Sequence, residues 1–423
     1  MIDDLIETVV GSIPKSWRIQ NLEDISGFIT KGGTPTTYGF DWADENSGVP
    51  FFRSECVTDN GFNPKGMNFI HADAHRQMNR SEVKPGDLLM TITGNIGRVA
   101  RAPINFSTAN INQHIARIRI QEGSEVSADY VYQCLKHDGY VTHYRAILTG
   151  QAYPQISLQQ VRETPIPLPT YPEQQKIAAI LTAVDNKLGV IDRQVEVTQT
   201  LKQGLMQSLF SQCAADWPTV QLKEVAEVRT GVAKGKKGLK EPTELPYLRV
   251  ANVQDGHIDL TEVKTIAVEE IQVERYALQP GDVLMTEGGD FDKLGRGDVW
   301  EGQISPCLHQ NHVFAVRPAP SKLNSYYLAA LAASDYGRKY FLSCAKRTTN
   351  LASINSSQLK TFPVLLPPLD EQVRIADIVA AANARIETLS TKKAHYQTLK
   401  RGLMQKLLTG EWRVKLDSPS GTA

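Results

Sequence analysis

The sequence predicts an α+β fold in which two mixed domains of sheet and helix are separated by two long helices that form an antiparallel coiled coil, with an internal pseudo-twofold repeat. The first observation behind this prediction is that residues 173–207 recur without a gap as residues 371–405, with 14 of the 35 positions identical. The second is that a proline-rich stretch precedes each copy, and the third is that strand-like segments precede the prolines. A repeat of this length indicates a chain built from two equivalent halves.

The length and charge of the chain limit the classes of protein that fit. At 423 residues the chain exceeds what a single core buries, so two large units are expected. Lysine plus arginine equals aspartate plus glutamate, 46 each, so contact with nucleic acid must use local patches. No apolar run approaches the roughly 18 residues of a membrane span, and residues 1–7 lack the basic-then-apolar order of a signal peptide. We therefore expect a cytoplasmic protein that does not span a membrane.

Each half begins with a mixed segment whose order repeats. The Pro-Gly-Asp sequences at residues 85–87 and 280–282 are typical of turns that lead into buried strands. Residues 115–120 and 313–317 alternate apolar with other side chains, as half-buried strands do. Helical composition follows at residues 129–148 and 324–345. The mixed segments are therefore predicted to be domains dominated by sheet.

A long amphipathic helix is predicted after each set of prolines, which force extended backbone before it. The apolar residues of the helix are spaced alternately four and three positions apart, as along the contact line (the heptad seam) of a coiled coil. A helix of about 35 residues spans roughly 50 Å, so most of its apolar stripe would overhang one domain. We therefore predict that the two helices pair, and that they pair antiparallel because a compact domain lies between them; the alternative is that each helix lies on its own domain. The residues predicted to form the coiled-coil or partner interface are Ile177, Leu181, Val184, Leu188, Ile191 and Leu205 in the first helix and Ile375, Val379, Ile386, Leu389, Leu403 and Leu407 in the second.

These patterns predict five segments along the chain. The first mixed domain is expected at residues 1–153 and the second at 214–350. A proline hinge with its long helix follows each, at residues 154–213 and 351–412, and residues 413–423 form a C-terminal tail.

The sequence lacks the motifs of common enzymes. It contains no G-x-x-x-x-G-K-[ST], H-E-x-x-H or G-x-S-x-G motif, and no Asn-Pro-Pro-Tyr or Asp-Pro-Pro-Tyr segment of adenine methyltransferases. The cysteines form no C-x-x-C pair, so a zinc site is not indicated. Asp290 and Asp292 lack a following glutamate at calcium-loop spacing, and His309 and His312 are interpreted as structural. We expect no catalysis by this chain, no metal and no cofactor.

Loops rich in glycine, threonine and basic residues occupy matching places in both halves. Glycine lets backbone approach a ligand closely, arginine binds guanine or phosphate with two hydrogen bonds, and glutamine or asparagine pairs with adenine. The alternative is that these loops are plain turns whose arginines form surface ion pairs. The loops comprise residues 30–37, 52–54 and 93–98, and residues 229–231, 234–237, 248–250 and 287–296.

Over essentially its whole length the chain resembles a DNA specificity subunit of a type I restriction-modification system. Three duplicated motifs carry the resemblance: Pro-x-x-x-Glu-Gln beginning at Pro169 and Pro367, Leu-Lys-x-Gly-Leu-Met-Gln at the helix ends, and Pro-Gly-Asp-[Leu/Val]-Leu-Met-Thr in the mixed domains. The resemblance implies two target recognition domains, each reading one half of a split, asymmetric site in double-stranded DNA, and paired helices that act as a ruler for the unread spacer.

The resemblance also implies partner subunits and their cofactors. Two methyltransferase subunits would bind the helices and modify adenine with S-adenosylmethionine. Two restriction and translocase subunits, which use ATP and magnesium, would complete the enzyme. These cofactors belong to the partners.

Recognition loops vary within such a family, so the candidate DNA contacts are chosen from loops at matching positions. Two rival hypotheses remain open: a two-domain scaffold that touches no nucleic acid, and a methyltransferase fragment. The candidate DNA-binding residues are Lys31, Thr34, Arg53, Asn95, Arg98 and Gln113 in the first domain and Lys234, Lys236, Arg249, Gly289, Arg296 and Gln310 in the second.

Overall fold

The structure is a computed structural model that describes residues 4–149, 154–212, 217–234, 239–289, 294–347 and 352–416. The chain divides into two compact units, the first formed by Met1–Val190 with Lys393–Ala423 and the second by Ile191–Lys392. Each unit contains one mixed segment and half of each long helix. The boundaries predicted at residues 153, 213, 350 and 412 do not coincide with these units and stay predictions.

The first half of the chain contributes fourteen strands and six helices within the described residues. The strands are β1 Leu5–Thr8, β2 Gly11–Pro14, β3 Arg18–Asn21, β4 Ser26–Lys31, β5 Val49–Phe52, β6 Val57–Thr58, β7 Gly61–Phe62, β8 Asn68–Ile70, β9 Glu82–Val83, β10 Leu88–Thr91, β11 Val99–Arg101, β12 Ala109–Ile111, β13 Ile115–Ile120 and β14 Pro165–Leu168. The helices are α1 Leu22–Ile25, α2 Ala72–Gln77, α3 Ala128–Leu135, α4 Asp138–Ala146, α5 Leu158–Arg162 and α6 Tyr171–Gln212.

The second half contributes a similar series, again counted over the described residues. The strands are β15 Thr219–Gln221, β16 Ala226–Thr230, β17 Thr243–Leu248, β18 Val253–Gln254, β19 His257–Ile258, β20 Lys264–Val268, β21 Val283–Thr286, β22 Gly288–Gly289, β23 Gly297–Val299, β24 Leu308–His309, β25 Val313–Pro318, β26 Lys346–Arg347, β27 Ala352–Ser353 and β28 Pro363–Leu365. The helices are α7 Leu222–Val225, α8 Glu270–Tyr276, α9 Ser325–Ala333, α10 Asp335–Cys344, α11 Ser356–Lys360 and α12 Leu369–Leu408.

The two largest sheets of each unit follow the same strand order, except that β9 adds a fourth strand to the second sheet of the first unit. The antiparallel order β11-β10-β13-β4 in the first unit corresponds to β23-β21-β25-β16 in the second, and β8-β5-β12 corresponds to β20-β17-β24. In both units the second sheet contains a parallel pair, β5 with β12 and β17 with β24. The predicted α+β fold and the internal repeat are therefore confirmed. Each stretch predicted to be helical after these sheets is two short helices, α3 and α4 or α9 and α10.

Each long helix is attached to its mixed domain by a buried glutamine that follows the prolines. Gln174 accepts a hydrogen bond from the Ser127 backbone at 2.9 Å and donates to the carbonyls of Glu125 and Pro169 at 3.2 and 2.9 Å. Gln372 makes the same three contacts, with the Asn324 backbone at 2.8 Å and the carbonyls of Lys322 and Pro367 at 3.0 and 2.9 Å. The duplicated Glu-Gln motif therefore has a structural cause, because its glutamine bonds three backbone groups, one of them, the Pro169 or Pro367 carbonyl, in a buried hydrogen bond.

The two long helices pack antiparallel within each unit. In the first unit Glu173 pairs with Arg413 at 2.6 Å, and Asp185 pairs with Lys400 at 2.6 Å. The residue numbers rise along α6 while those of their partners fall, which shows that the two segments run in opposite directions. The second unit places Met206 and Phe210 of α6 in one hydrophobic cluster with Ile375 and Val379 of α12. The helices are longer than the predicted 35 residues, at 42 and 40.

Burial follows the predicted heptad seam except at one position. Leu205 is 36% exposed, whereas the adjacent Met206 is 6% exposed and belongs to the core. The prediction that Leu205 lies in the helix pair is therefore wrong, because the seam shifts by one residue after Lys202. The buried interface residues are Ile177, Leu181, Ile191, Ile375, Val379, Leu389 and Leu407, and the half-buried ones are Val184, Leu188, Ile386 and Leu403.

The described helices include none that is long and apolar enough to cross a membrane.

Candidate functional site

Three loops of the first unit meet beyond the parallel pair β5 and β12. The backbone N–H of Asn112 donates to the Phe52 carbonyl at 3.1 Å, and the N–H of Gly32 donates to the Asn112 carbonyl at 3.1 Å. The Thr34 hydroxyl then donates to Oε1 of Gln113 at 3.0 Å. We call the surface formed by Lys31, Thr34, Arg53 and Gln113 the first loop cluster. Lys31 and Gln113 are exposed on it.

The second unit forms a matching surface beyond β17 and β24. The N–H of Gln310 donates to the Leu248 carbonyl at 2.8 Å, and the N–H of Val232 donates to the His309 carbonyl at 2.8 Å. We call the surface formed by Lys234, Arg249 and Gln310 the second loop cluster. Lys234 is exposed there, and Arg249 and Gln310 are half-buried. The candidate Lys236 lies outside the described residues.

A glycine in each unit makes this convergence possible. A Cβ atom on Gly32 would lie 1.6 Å from the carbonyl oxygen of Ile111, and one on Gly231 would lie 2.0 Å from that of His309. Both distances are far shorter than a van der Waals contact. The backbone can therefore pass this close to the strand end only at a glycine, which has no side chain. The glycines of the Gly/Thr loops therefore position the clusters.

A hairpin loop in each unit is joined to the loop cluster through its backbone. The N–H of Ile92 donates to the His114 carbonyl at 2.9 Å, and the N–H of Glu287 donates to the His312 carbonyl at 3.0 Å. Asn95 is exposed in the first hairpin loop. In the second, Gly289 pairs with Ala352 as part of β22 and β27.

The two hairpin arginines, Arg98 and Arg296, differ from each other in what holds them. Arg98 donates from Nε and Nη2 to the Asp59 carboxylate at 3.0 and 2.8 Å, so the β6–β7 turn holds its guanidinium. Arg296 is half-buried, and its Nε has no hydrogen-bond partner. The structure thus brings together the loops that carry Lys31, Thr34, Arg53 and Gln113, with one side-chain hydrogen bond, between Thr34 and Gln113, whereas Arg98 is directed to a neighbouring turn.

Arg53 and Arg249 occupy the same structural position in the two units. Each directly precedes a 3-10 helix, Ser54–Cys56 or Val250–Asn252. Arg53 pairs with Glu55 at 2.6 Å, and Nη2 of Arg249 lies 3.7 Å from the Glu262 carboxylate. Burial raises the pKa of Glu55, but hydrogen bonds from its own backbone and from Arg53 outweigh burial and lower that pKa. Ion pairs this exposed contribute little to stability, so a phosphate or base can replace the carboxylate at small cost.

The carboxylates that hold the arginines were missed from the sequence. These are Glu55, Asp59 and Glu262, which the structure places beside Arg53, Arg98 and Arg249. One signal was available, because Asp59 and Asp255 occupy matching turns and both pair with arginine, Asp255 with Arg338 at 2.8 Å.

His309 is a buried structural residue of the second unit. It is 1% exposed, and its Nδ1 is 2.7 Å from the Val313 carbonyl, which makes this nitrogen the donor of the neutral ring. Burial lowers the pKa of His309 from 6.5 to about 4, against the opposing effect of that hydrogen bond. Over the described ranges, no group of three or more His, Cys, Asp or Glu side chains is placed to hold a metal ion.

The burial of the neutral His309 ring predicts that the folded protein loses stability in acid. Between pH 6.5 and about 4 the unfolded chain binds a proton at His309 that the folded chain does not, so stability falls as the pH falls. We expect a contribution of up to about 3 kcal/mol to this loss, and a shallower pH dependence in His309→Gln. Urea unfolding at several pH values measures both; equal slopes for the two proteins would contradict the prediction.

The comparisons with known proteins match both halves of this chain. The sequence matches the family described as the type I restriction modification DNA specificity domain at residues 14–198 and again at 214–395. The chain is 23% identical to the type I restriction enzyme MjaVIII specificity subunit of Methanocaldococcus jannaschii, over 95% of this chain and 94% of that protein. It is 18% identical to the EcoKI specificity subunit of Escherichia coli K12, over 96% and 92% of the two chains.

Solved structures share the fold. The S subunit of a type I restriction-modification system from M. genitalium superposes with a TM-score of 0.58 at 15% identity, covering 92% of this chain and 96% of that one. A chain from a structural study of complex assembly and conformational transition in the type I R-M system gives a TM-score of 0.57 at 18% identity, with 95% and 99% covered. Because the family match covers both halves, this chain belongs to the type I restriction-modification DNA specificity family.

Proposed function

We propose that this chain reads a bipartite, asymmetric DNA site, with one half-site bound by each loop cluster and the unread spacer set by the paired long helices. One observation carries the proposal: the two clusters share a backbone hydrogen bond at the strand end, from Asn112 to Phe52 and from Gln310 to Leu248, but differ in side chains. Asn112-Gln113-His114 in the first unit stands where Gln310-Asn311-His312 stands in the second. Similar backbones with unlike side chains suit the reading of two unlike half-sites through base edges.

The proposed partners are two adenine methyltransferase subunits and two restriction and translocase subunits, which act with this chain on double-stranded DNA in the cytoplasm. The chain has no catalytic role in this proposal, and S-adenosylmethionine, ATP and magnesium are bound by the partners. With net charge zero, the isolated chain is expected to bind DNA weakly, because the partners supply much of the phosphate contact.

Exposed apolar positions on the long helices support partner binding. Val197, Leu201 and Leu205 are 66%, 58% and 36% exposed, and their spacing of four residues places them along one side of α6. In the first unit a groove of about 580 Å³ runs beside α6, where Ala178 and Ala183 are among the lining residues. Small side chains permit close approach of another helix, so we propose these surfaces for the methyltransferase subunits, with Leu205 part of that contact.

Substituting the two cluster arginines tests the division into half-sites. We expect Arg53→Ala to relax one base position in one half-site, and Arg249→Ala to relax one position in the other. Loss of a contact of this kind costs about 1–3 kcal/mol, or roughly 5- to 150-fold in discrimination. The measurement is sequencing of methylated adenines in a host that carries this chain and its partners.

Arg76→Ala is the matched control, because Arg76 is an exposed arginine of α2 that pairs with Asp73. Its methylated site should equal that of the wild type. If either cluster variant changes both half-sites, the assignment of one cluster to each half-site fails. If the complete complex with methyltransferase shifts no DNA in a mobility assay, the scaffold hypothesis replaces this proposal.

A further inference from the structure

A buried polar contact in the first unit joins three elements. Asp185 on α6 accepts a hydrogen bond from Nε2 of Gln133 on α3 at 3.0 Å, and its other oxygen pairs with Nζ of Lys400 on α12 at 2.6 Å. Gln133 is fully buried and Lys400 is 9% exposed. Nε2 of Gln133 also lies 3.4 Å from the Thr182 hydroxyl, which is on α6 as well. One carboxylate thus connects the mixed domain with both long helices.

The surroundings of Lys400 make Asp185 its counter-ion. Burial and the nearby Lys136 lower the pKa of Lys400, and Asp185 raises it. Lys136 itself lies over the Tyr132 ring, 5.1 Å from its centroid. A buried lysine is costly without a paired carboxylate, so loss of Asp185 would leave the Lys400 ammonium buried without its counter-ion.

The second unit keeps the lysine of this contact and replaces the aspartate and the glutamine. The repeat aligns Asp185 with Asn383, Lys400 with Lys202, and Gln133 with Ala330. Burial lowers the pKa of Lys202, and the carboxylates of Asp255 and Asp298 in the mixed domain raise it. The two mixed domains are therefore attached to their helices by different chemistry, and the three-element contact belongs to the first unit.

We propose that Asp185 is a positioning residue that fixes the orientation of the first recognition domain on the helix pair and thereby narrows the range of spacer lengths that the complex accepts. Apolar packing along a heptad seam is not directional, so by itself it tolerates small rotations of a domain. Hydrogen bonds from one carboxylate to two different elements are directional and oppose such rotation. This inference rests on the proposed function of the domains and helices.

The principal test is Gln133→Met in the full chain, co-expressed with its methyltransferase partner. The substitution removes the link to α3 and leaves the Asp185–Lys400 pair in place. Exchange of a buried amide for an apolar side chain of similar size costs little stability, because no buried group loses its only partner. We expect an unchanged melting temperature and unchanged half-sites. Methylation of sites whose spacer differs by one base pair should rise roughly tenfold relative to the cognate site.

Asp185→Asn is the second variant, and Gln77→Met is the control, since it makes the same exchange on the exposed surface of α2. Asp185→Asn should relax spacer selectivity further, whereas the control should leave it unchanged. Unchanged selectivity in both Gln133→Met and Asp185→Asn would overturn the positioning role, even if the melting temperature fell. If the wild-type complex methylates half-sites at any spacing, the proposal that the long helices set the spacer is wrong. This outcome differs from one in which only the role of Asp185 fails.

Discussion

Insertion of seven residues into both long helices is expected to lengthen the unread spacer by up to about three base pairs while both half-sites stay the same. The chain crosses between the compact units at Val190 and Ile191 and again at Lys392 and Lys393. Duplicating residues 184–190 and 386–392 at these points leaves the packing inside each unit unchanged. Seven residues add about 10.5 Å of helix, and a full heptad returns the seam to nearly the same face. The gain is smaller if the helices are inclined to the DNA axis.

Sequencing of methylated adenines measures the result of this insertion. A four-residue insertion at the same points is the control, because it shifts the heptad phase and should lower both thermal stability and methylation. An altered half-site with the original spacer would show that the helices do not set the spacing.

Substitution of the buried glutamines is expected to have the largest effect on stability. Gln174→Ala removes three hydrogen bonds and leaves backbone groups of Glu125, Ser127 and Pro169 without that partner. One of these bonds is buried and two are partly buried. An unpaired buried group costs about 1–3 kcal/mol, so we expect a total loss of roughly 3 kcal/mol. Gln372→Ala should cost a similar amount in the second unit, where the same contacts recur.

Amide hydrogen exchange measured at increasing denaturant concentrations shows which unit each variant destabilises. Gln174→Ala should weaken protection in the first unit, and Gln372→Ala in the second. Gln175→Ala is the matched control, because Gln175 is an exposed neighbour on the same helix. A loss below about 1 kcal/mol for both variants would mean that water satisfies the freed backbone groups.

Features that depend on local spacing were predictable from the sequence. Both long helices and strands β13 and β25 lie where their patterns indicated them. The prolines predicted extended backbone, and the structure pairs that backbone into strands β14 and β28. The seam after Lys202 was not predictable in the same way. From Lys202 a step of three residues reaches Leu205 and a step of four reaches Met206, so the heptad pattern allows either residue to be buried. Only packing against the core of the second unit decides that Met206 is the buried one.

The candidate site was predictable in part. The loops of both clusters were identified from their composition and matching positions, and the structure joins Lys31, Thr34, Arg53 and Gln113 on one surface. The partners of the arginines were not identified, because the contact of Arg98 with Asp59 spans 39 residues and leaves no periodic signal. Which of these residues touch DNA stays a prediction.

By itself the sequence determined that this protein is built twice, with two long helices and two mixed domains, because a repeat, a heptad and a proline are all local patterns. The tertiary structure alone decided how each mixed domain is attached to its helices. Gln133, Asp185 and Lys400 are far apart in the chain and meet only when α3, α6 and α12 pack. A contact of this kind depends on the relative placement of whole elements, which spacing along the chain does not encode.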